Sequence, residues 1–462
     1  MLNDIIEQRK KKLANLIKAG LNPYPSSVKR TASLTEVLEN FNRWQKSGKK
    51  LFLAGRLRAW RDQGRIIFAD LEDETGKLQL IFNEKQTKQF DLMKENSDIG
   101  DFIEVQGKLL KTKRGEKSLA VGLSRVISKS LRPLPAEWFG LKDAEERFRR
   151  RYLDLILNPE VKIRIQKRSE IIACLRQLLQ GEGFSEVETP ILQPLPGGAK
   201  AKPFKSHWEA LNEDVYLRIA PELYLKRLLV AGFEKIFEIG KNFRNEGIDK
   251  EHYPEFTMLE LYWAYEDYQS LMKFIQKILL KLIKSLKLKS TVFNRPWQTL
   301  TFNEVLKKFI DPSRRGRLDN LNADEAAEIF KKEICPKLIN PTFITDYPLA
   351  LSPLAKSCPQ DAQLVERFQL VVNGWELING YSELNNPEEQ RRRLEKQEEK
   401  HLAGDEELSR VDQDFLEAME YGMPPAAGLG IGIDRLVALL TDSHSIREII
   451  TFPMLKGKEN SN

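Results

Sequence analysis

The hydrophobic and polar positions of this chain change their spacing several times, and each spacing predicts a different kind of element. Over residues 1–45, apolar side chains recur near helical spacing, at Ile5, Leu13, Leu16 and Ile17. Gly20, Pro23 and Pro25 then interrupt the pattern. The segment is therefore predicted to form a helix, a turn and a second helix.

The first of these helices carries the basic cluster Arg9-Lys10-Lys11-Lys12. Such a run is typical of a solvated helix face, and it is equally typical of a surface that contacts an RNA backbone. The sequence alone leaves both interpretations open.

From Leu51 onward the pattern becomes that of strands. Five apolar runs follow one another, at 51–57, 66–71, 78–82, 102–110 and 119–127. Polar turns centred on Gly76 and Gly115 separate two of the pairs. Five short strands with glycine-centred turns predict a small closed barrel, of which the oligonucleotide-binding (OB) fold is a common type.

Leu131-Arg132-Pro133-Leu134-Pro135 breaks the strand pattern and predicts an interdomain linker. Beyond it, helices and strands alternate without a regular repeat, which predicts an α+β domain with an antiparallel sheet flanked by helices. We thus expect a helical extension over 1–50, a five-stranded barrel over 51–135 and an α+β domain over 136–462. The glycine-rich stretch 428–432 lacks the later acidic residue of a dinucleotide fingerprint, so that interpretation is rejected.

Composition narrows the class of protein. Of the 462 residues, 41% are hydrophobic and 31% are charged, as expected for a soluble globular chain. No apolar run approaches the roughly 18 residues of a membrane span. The three cysteines are far apart and odd in number, which fits a reducing cytoplasm, and the four histidines show no zinc-ligand spacing. A net charge of +7 permits an RNA partner without indicating one.

Three segments of the second half resemble, in this order, motifs 1, 2 and 3 of class II aminoacyl-tRNA synthetases. They are Gly183 to Pro190, Phe243-Arg244-Asn245-Glu246-Gly247 with its continuation to Glu260, and Gly428 to Arg435. The segments 196–199, 216–226 and 379–384 are similar to bacterial-type class II lysyl-tRNA synthetases. The resemblance covers nearly the whole chain. It implies an anticodon-binding OB-fold before a class II catalytic domain.

The resemblance implies that lysine is activated by ATP to lysyl-adenylate and pyrophosphate, then transferred to the 3′-terminal adenosine of tRNA(Lys). The attacking carboxylate is already ionised at neutral pH, so the site must supply alignment and positive charge. Arg244 and Arg435 match the catalytic arginines of motifs 2 and 3. The implied ATP-binding set is Arg244, Glu246, His252, Phe256, Glu376 and Arg435. Outside these motifs, an arginine would most often be a surface residue and Phe256 a core residue.

Lysine recognition requires an anionic pocket, because a desolvated ammonium is costly without several acceptors. The family positions that line such a pocket are Gly198, Glu222, Glu260, Tyr262, Asn379, Tyr381 and Glu383. We expect Glu260 and Glu383 at the ε-ammonium and Glu222 at the α-ammonium. For each glutamate the alternative is a solvated charge or a structural ion pair.

The chain departs from the family pattern at two places. The family binds magnesium with two acidic residues seven positions apart, and here the first is the neutral Gln369 while the second is Glu376. With Glu383 they form the expected Mg²⁺ ligands, and Gln369→Glu is expected to lower the magnesium requirement. In the barrel, Arg61, Phe68 and Gln79 match the anticodon-contacting residues. Leu123 occupies the place of a further acidic residue.

The remaining expectations concern partners and alternatives. The resemblance implies a homodimer through motif 1, and no membrane association is expected. Competing interpretations are a paralogue that attaches lysine or β-lysine to an elongation factor, an aspartyl or asparaginyl enzyme, and an RNA-binding protein with a decayed synthetase fold. The N-terminal barrel argues against the first and the glutamates against the second. The two intact arginines argue against the third.

Overall fold

The structure is a computed structural model that describes residues 2–135, 141, 143–289, 291–310, 321–405, 407 and 410–457. The chain divides into two compact units, Met1–Lys142 and Asp143–Asn462. None of the helices in the described ranges is long and apolar enough to cross a membrane.

The first unit begins with three helices, α1 (Leu2–Lys18), α2 (Leu34–Glu39) and α3 (Phe41–Lys46). The basic cluster of α1 is partly used inside this unit. Arg9 donates to the backbone carbonyls of Ile99, Ser130 and Arg132, and Lys12 Nζ lies 2.7 Å from Asp98 Oδ1. Two of the four basic side chains are therefore structural.

A five-stranded closed barrel follows, as the sequence predicts. Its strands are β1 (Lys50–Asp62), β2 (Ile66–Glu72), β3 (Lys77–Asn83), β4 (Phe102–Lys111) and β5 (Lys117–Ser128), and α4 (Phe90–Asn96) connects β3 to β4. The strand order around the barrel is β1-β2-β3-β5-β4. Buried and partly exposed residues alternate along β2 and β3, so apolar side chains fill the interior while polar ones face outward.

The second unit contains ten α-helices in its described residues. They are α5 (Ala144–Arg149), α6 (Arg151–Leu157), α7 (Pro159–Gly181), α8 (Glu222–Val230), α9 (Tyr268–Ser285), α10 (Phe302–Phe309), α11 (Ala323–Ile329), α12 (Pro387–Leu402), α13 (Gln413–Glu420) and α14 (Ile433–Leu440). A π-helical turn, Phe330–Ile334, and 3-10 turns at Cys335–Lys337, Leu349–Leu351 and Ile446–Glu448 complete them. The helix predicted to begin near Val161 is α7, which ends before Gly183 at φ +88°.

The strands of this unit form two sheets. They are β6 (Ser185–Glu186), β7 (Leu192–Gln193), β8 (Phe204–Trp208), β9 (Glu213–Leu217), β10 (Lys235–Phe243), β11 (Glu255–Ala264), β12 (Gln298–Thr301), β13 (Thr342–Pro348), β14 (Leu364–Val372), β15 (Trp375–Ser382) and β16 (Ala426–Gly432). The large sheet has the order β12-β13-β14-β15-β16-β11-β10-β6, and β7, β9 and β8 form a small one. The large sheet is antiparallel except for its two edge pairs. This α+β architecture is the predicted one.

One face of the large sheet is covered by α7, α9 and α14. Leu259 and Leu261 of β11 point into this core with Leu175 and Ile278 from the helices. A polar contact joins α7 to the second and third predicted motifs: Arg168 of α7 donates to Asp434 Oδ1, and Asp434 Oδ2 accepts from the Thr257 amide. These contacts hold β11 and the start of α14 in place. Both elements also carry residues that lie on the other face of the large sheet.

Candidate active site

The opposite face of the sheet forms the floor of a cavity of about 990 Å³. Alternation along β11 decides which of its side chains reach the cavity. Phe256, Met258, Glu260 and Tyr262 line it, while the intervening leucines belong to the core. The motif 2 strand thereby presents one aromatic ring, one thioether, one carboxylate and one phenol in a row.

The neighbouring strand β16 has glycines at positions where the adjacent strands β11 and β15 have larger side chains. A Cβ placed at Gly428 would overlap Glu383 Oε1 and lie 2.5 Å from Tyr262 Cε1. Gly430 and Gly432 also line the cavity. The missing side chains leave room for the larger groups of the adjacent strands.

One part of the cavity carries both predicted catalytic arginines, with carboxylates beside them. Its lining includes all six predicted ATP-binding residues: Arg244, Glu246, His252, Phe256, Glu376 and Arg435. The Arg244 guanidinium stacks 5.0 Å above the Phe256 ring, and burial lowers the pKa of Arg244. Its Nε atom has no hydrogen-bond partner among the described residues. A partly buried guanidinium with an unpaired Nε is suited to receiving an anion.

Arg435, at the start of α14, is held in a fixed position by backbone and side-chain acceptors. It donates to the carbonyl of Glu376 at 2.6 Å and to that of Glu251 at 3.3 Å. Its Nη2 lies 3.1 Å from His252 Nε2, and His252 Nδ1 lies 2.8 Å from Asp249 Oδ2. If Arg435 is the donor, the His252 proton resides on Nδ1, because one ring nitrogen must then accept.

The other end of the cavity is anionic. Tyr262 donates to Glu260 Oε2 at 3.1 Å, and Tyr381 donates to Glu222 Oε1 at 2.5 Å. Burial and the charge of Glu222 raise the pKa of Glu260 to about 8. Glu383 is fully buried, and burial together with Glu222 raises its pKa to about 8 as well. Glu383 lies behind the cavity wall, whereas the other two carboxylates line it.

The three carboxylates of the anionic end act on one another and on two cationic side chains. The guanidinium of Arg244 acts on Glu260, Glu222 acts on both Glu260 and Glu383, and Lys226 acts on Glu383. Along β11, Glu260 lies between Phe256, which stacks with Arg244, and Tyr262. The expectation that Glu260 and Glu383 contact the ε-ammonium and Glu222 the α-ammonium stays a prediction.

The remaining predicted residues also fall in this region. Gly198, at φ +84°, lines the cavity where a Cβ would lie 2.8 Å from the Glu222 Cβ. Asn379 accepts a hydrogen bond from Arg367 Nε at 2.9 Å. Sequence reasoning missed Lys226, whose Nζ contacts Glu222 and Glu383. Its position one helical turn after Glu222 on α8 is the signal that could have indicated the pair.

The three predicted magnesium ligands do not meet around the cavity. Glu376 lines it, whereas Gln369 is buried with its Oε1 accepting from Tyr347 at 2.6 Å. Glu383 is occupied by Lys226. The described residues contain no group of three or more His, Cys, Asp or Glu side chains that could hold a metal. This donor set fits only an ion held largely by substrate phosphates, with Glu376 as the protein carboxylate.

In the barrel, the three predicted anticodon residues share the outer face. Arg61 pairs with Phe68 across β1 and β2, and Asp70 pairs with Gln79 across β2 and β3. Arg61 forms an ion pair with Asp70 at 2.8 Å, and Gln79 Oε1 accepts from Ser118. Leu123 is an exposed residue of β5. A half-exposed ring flanked by hydrogen-bonding groups is suited to stacking with an unpaired base.

Comparison with known families defines the class to which this fold and site belong. Residues 143–456 match the family model of class II tRNA synthetases (D, K and N), and residues 52–122 match that of the OB-fold nucleic acid binding domain. The second unit is thus a class II tRNA synthetase domain.

Named relatives extend over both units. A lysine–tRNA ligase of Pelotomaculum thermopropionicum is 44% identical over 99% of this chain and 96% of its own length. One from Moorella thermoacetica is 45% identical over 99% of both chains. Lysine–tRNA ligase 2 of Methanosarcina mazei is 43% identical over 97% of this chain and 93% of its own. The chain belongs to the lysine–tRNA ligase family.

The environment of Gln369 changes what its replacement is expected to do. Gln369→Glu should leave the magnesium dependence of adenylate formation within about twofold of the parent, because the side chain is directed to Tyr347 and not to the cavity. Magnesium titration of ATP–pyrophosphate exchange, with calorimetric counting of Mg²⁺ bound to the enzyme–ATP complex, measures this. A clearly lower requirement, or one more bound ion, would instead place residue 369 among the metal ligands.

Proposed function

We propose that this chain activates L-lysine with ATP and transfers it to the 3′-terminal adenosine of tRNA(Lys). The observation that carries the proposal is one cavity with arginines at one end and buried carboxylates at the other. An amino acid with a second ammonium group and a polyphosphate nucleotide are together complementary to such a charge distribution. The family membership of the chain supports the same conclusion.

In the first step, a lysine carboxylate oxygen attacks the α-phosphorus of ATP and pyrophosphate leaves. Arg244 is placed to hold the α-phosphate and the attacking carboxylate together, since its planar fork binds two oxygens and remains charged. Phe256 offers its ring to the adenine, and Arg435 takes the γ-phosphate end. In the second step a ribose hydroxyl of the tRNA attacks the acyl carbon and AMP leaves. When bound, Mg²⁺ supplies charge neutralisation at the phosphates beside Glu376.

The charged groups of the cavity orient the amino acid. With the lysine carboxylate at Arg244, we assign Glu222 to the α-ammonium and Glu260 with Glu383 to the ε-ammonium. The side chain extends toward Tyr262, whose hydroxyl donates to Glu260. A shorter or neutral side chain would leave buried carboxylates without a counter-charge, which is costly.

The direct test is ATP–pyrophosphate exchange with each standard amino acid, and with ornithine and β-lysine. Lysine is expected to be the one strong substrate of this panel. Strong exchange with aspartate or asparagine would overturn the proposal, and so would the absence of exchange with every amino acid. Comparable exchange with β-lysine would favour modification of a protein over charging of tRNA.

For the barrel we propose that it binds the anticodon through Arg61, Phe68 and Gln79. Phe68→Ala should raise the KM for tRNA in aminoacylation about 10-fold, because stacking of one base on an aromatic ring contributes roughly 1–3 kcal/mol. Lysine-dependent ATP–pyrophosphate exchange should not change. Phe102→Ala removes another exposed ring of the same barrel, one that stacks with Arg56, and serves as the control. Equal effects of the two substitutions would argue against a specific base contact.

We also propose that the chain forms a homodimer through the motif 1 region. Exposed apolar side chains lie on and near α7: Tyr152, Ile163, Ile191 and Leu192. Burying such side chains against a second copy would remove them from water. Sedimentation equilibrium, with the 53.5 kDa chain as reference, distinguishes a dimer from a monomer.

A further inference from the structure

A lysine side chain of the protein itself lies within the anionic end of the cavity region. Lys226, on α8, is fully buried. Its Nζ lies 2.6 Å from Glu222 Oε1 and 2.6 Å from Glu383 Oε2, and 5.5 Å from the centre of the Tyr381 ring. No step of the proposed reaction uses this ammonium.

Counting charges indicates what the ammonium does. When an incoming ammonium group keeps all three carboxylates ionised, Glu222, Glu260 and Glu383 contribute three negative charges and Lys226 contributes one positive charge, so two negative charges remain. Lysine as a substrate brings two ammonium groups to this end, with its carboxylate at Arg244. The pocket is thus neutralised by a diamino acid only because Lys226 compensates the third carboxylate.

Lys226 leaves the hydrogen-bonding capacity of Glu383 unused. Its Nζ forms an ion pair with Glu383 Oε2, but both oxygens of this carboxylate are buried and neither accepts a hydrogen bond from any described residue. Oε1 lies against Gly428, a residue of the cavity floor. A buried acceptor without a donor is costly, and an incoming ammonium group would satisfy it.

We propose that Lys226 is a positioning residue for the ε-ammonium of the substrate, holding Glu222 and Glu383 together from the side opposite the cavity. It also compensates one of their charges. The inference rests on the proposed function and names a specificity determinant of the same site. The charged and titratable groups around the pair are Glu260, Tyr262, Tyr381 and Lys226 itself. In keeping with this role, Lys226 opposes the rise in the pKa of Glu383 that burial and Glu222 cause.

Lys226→Met tests the proposal, because it removes the charge and keeps most of the side-chain volume. The KM for lysine in ATP–pyrophosphate exchange should rise at least about 30-fold, while the KM for ATP should stay within about threefold. Lysine affinity measured by calorimetry should fall by a similar factor. Lys226→Arg keeps the charge and should recover part of the loss. Lys226→Gln, whose amide can donate to one carboxylate, keeps the test available if the methionine variant does not fold.

The first unit offers a matched control for the loss of a buried lysine. Lys129 is also fully buried, with Nζ 2.5 Å from Asp98 and 2.7 Å from Asp101. Lys129→Met should lower the unfolding temperature and leave the KM for lysine unchanged. Equal loss of lysine and ATP affinity in Lys226→Met, or the same rise in lysine KM in Lys129→Met, would overturn the proposal. Failure of the parent protein to exchange with lysine would instead count against the proposed function.

Discussion

Arg244→Ala is expected to reduce lysine-dependent ATP–pyrophosphate exchange about 1000-fold, because it removes the fixed positive charge at the reacting phosphate. The guanidinium stacks on the Phe256 ring, the charges of Glu246 and Glu260 act on it, and its Nε has no partner among the described residues. It therefore keeps hydrogen-bonding capacity for an anion. Because the developing negative charge is largest in the transition state, kcat should fall more than the affinity for ATP.

Arg244→Lys separates charge from geometry. The substituted lysine keeps the positive charge but cannot bind two oxygens with a planar fork. The ATP–pyrophosphate exchange rate of this variant should therefore remain at least about 100-fold below that of the parent. Arg65→Ala is the control for loss of an arginine, since the Arg65 side chain is 83% exposed and lies in the first unit. Pre-steady-state measurement of adenylate formation gives the rate directly. A parental rate in Arg244→Ala would remove this residue from the mechanism.

Gly428→Ala is expected to weaken lysine binding about 30- to 100-fold while the protein stays folded. The added methyl group would overlap Glu383 Oε1 and lie 2.5 Å from Tyr262 Cε1. Tyr262 and Glu383 would have to move, since neither atom is the end of a freely exposed chain. Displacement of packed groups typically costs roughly 1–3 kcal/mol. The two groups displaced are those assigned to the lysine side chain.

Gly181→Ala provides the matched glycine control. A Cβ at Gly181 meets nothing within 4 Å, and the residue is the last of α7. Its lysine KM should equal that of the parent. Calorimetric titration with lysine and separately with ATP distinguishes a local effect of Gly428→Ala from general damage. Equal weakening of both ligands would contradict the assignment of Gly428 to the amino-acid end.

Hydrophobic periodicity predicted the barrel well because buried and partly exposed positions alternate along β2 and β3. The run predicted at 66–71 is β2, Ile66–Glu72, and the run at 78–82 is β3, Lys77–Asn83. The first strand extends to Asp62, five residues beyond its predicted end. The polar residues at its far end are exposed, so they carry no hydrophobic signal.

The candidate site was only partly predictable. Motif resemblance identified the arginines and glutamates, and the cavity lining contains most of them. It could not give the contacts of Glu260, Glu222 and Glu383 with one another and with Lys226, because these carboxylates lie on β11, on α8 and after β15. The hydrogen bond from Tyr347 that occupies Gln369 was not predictable either, since it joins β13 and β14 across a register that no local pattern encodes.

The contacts of Arg9 bear on where this chain can be cut. A fragment that began at Leu51 would retain almost all of the barrel strands, yet it would lack the guanidinium that binds the carbonyls of Ile99, Ser130 and Arg132. It would also lose Lys12 from Asp98, the carboxylate that Lys129 shares. Helix α1 thus stabilises the barrel through these contacts. Proteolytic removal of α1 should therefore be followed by rapid digestion of the barrel strands.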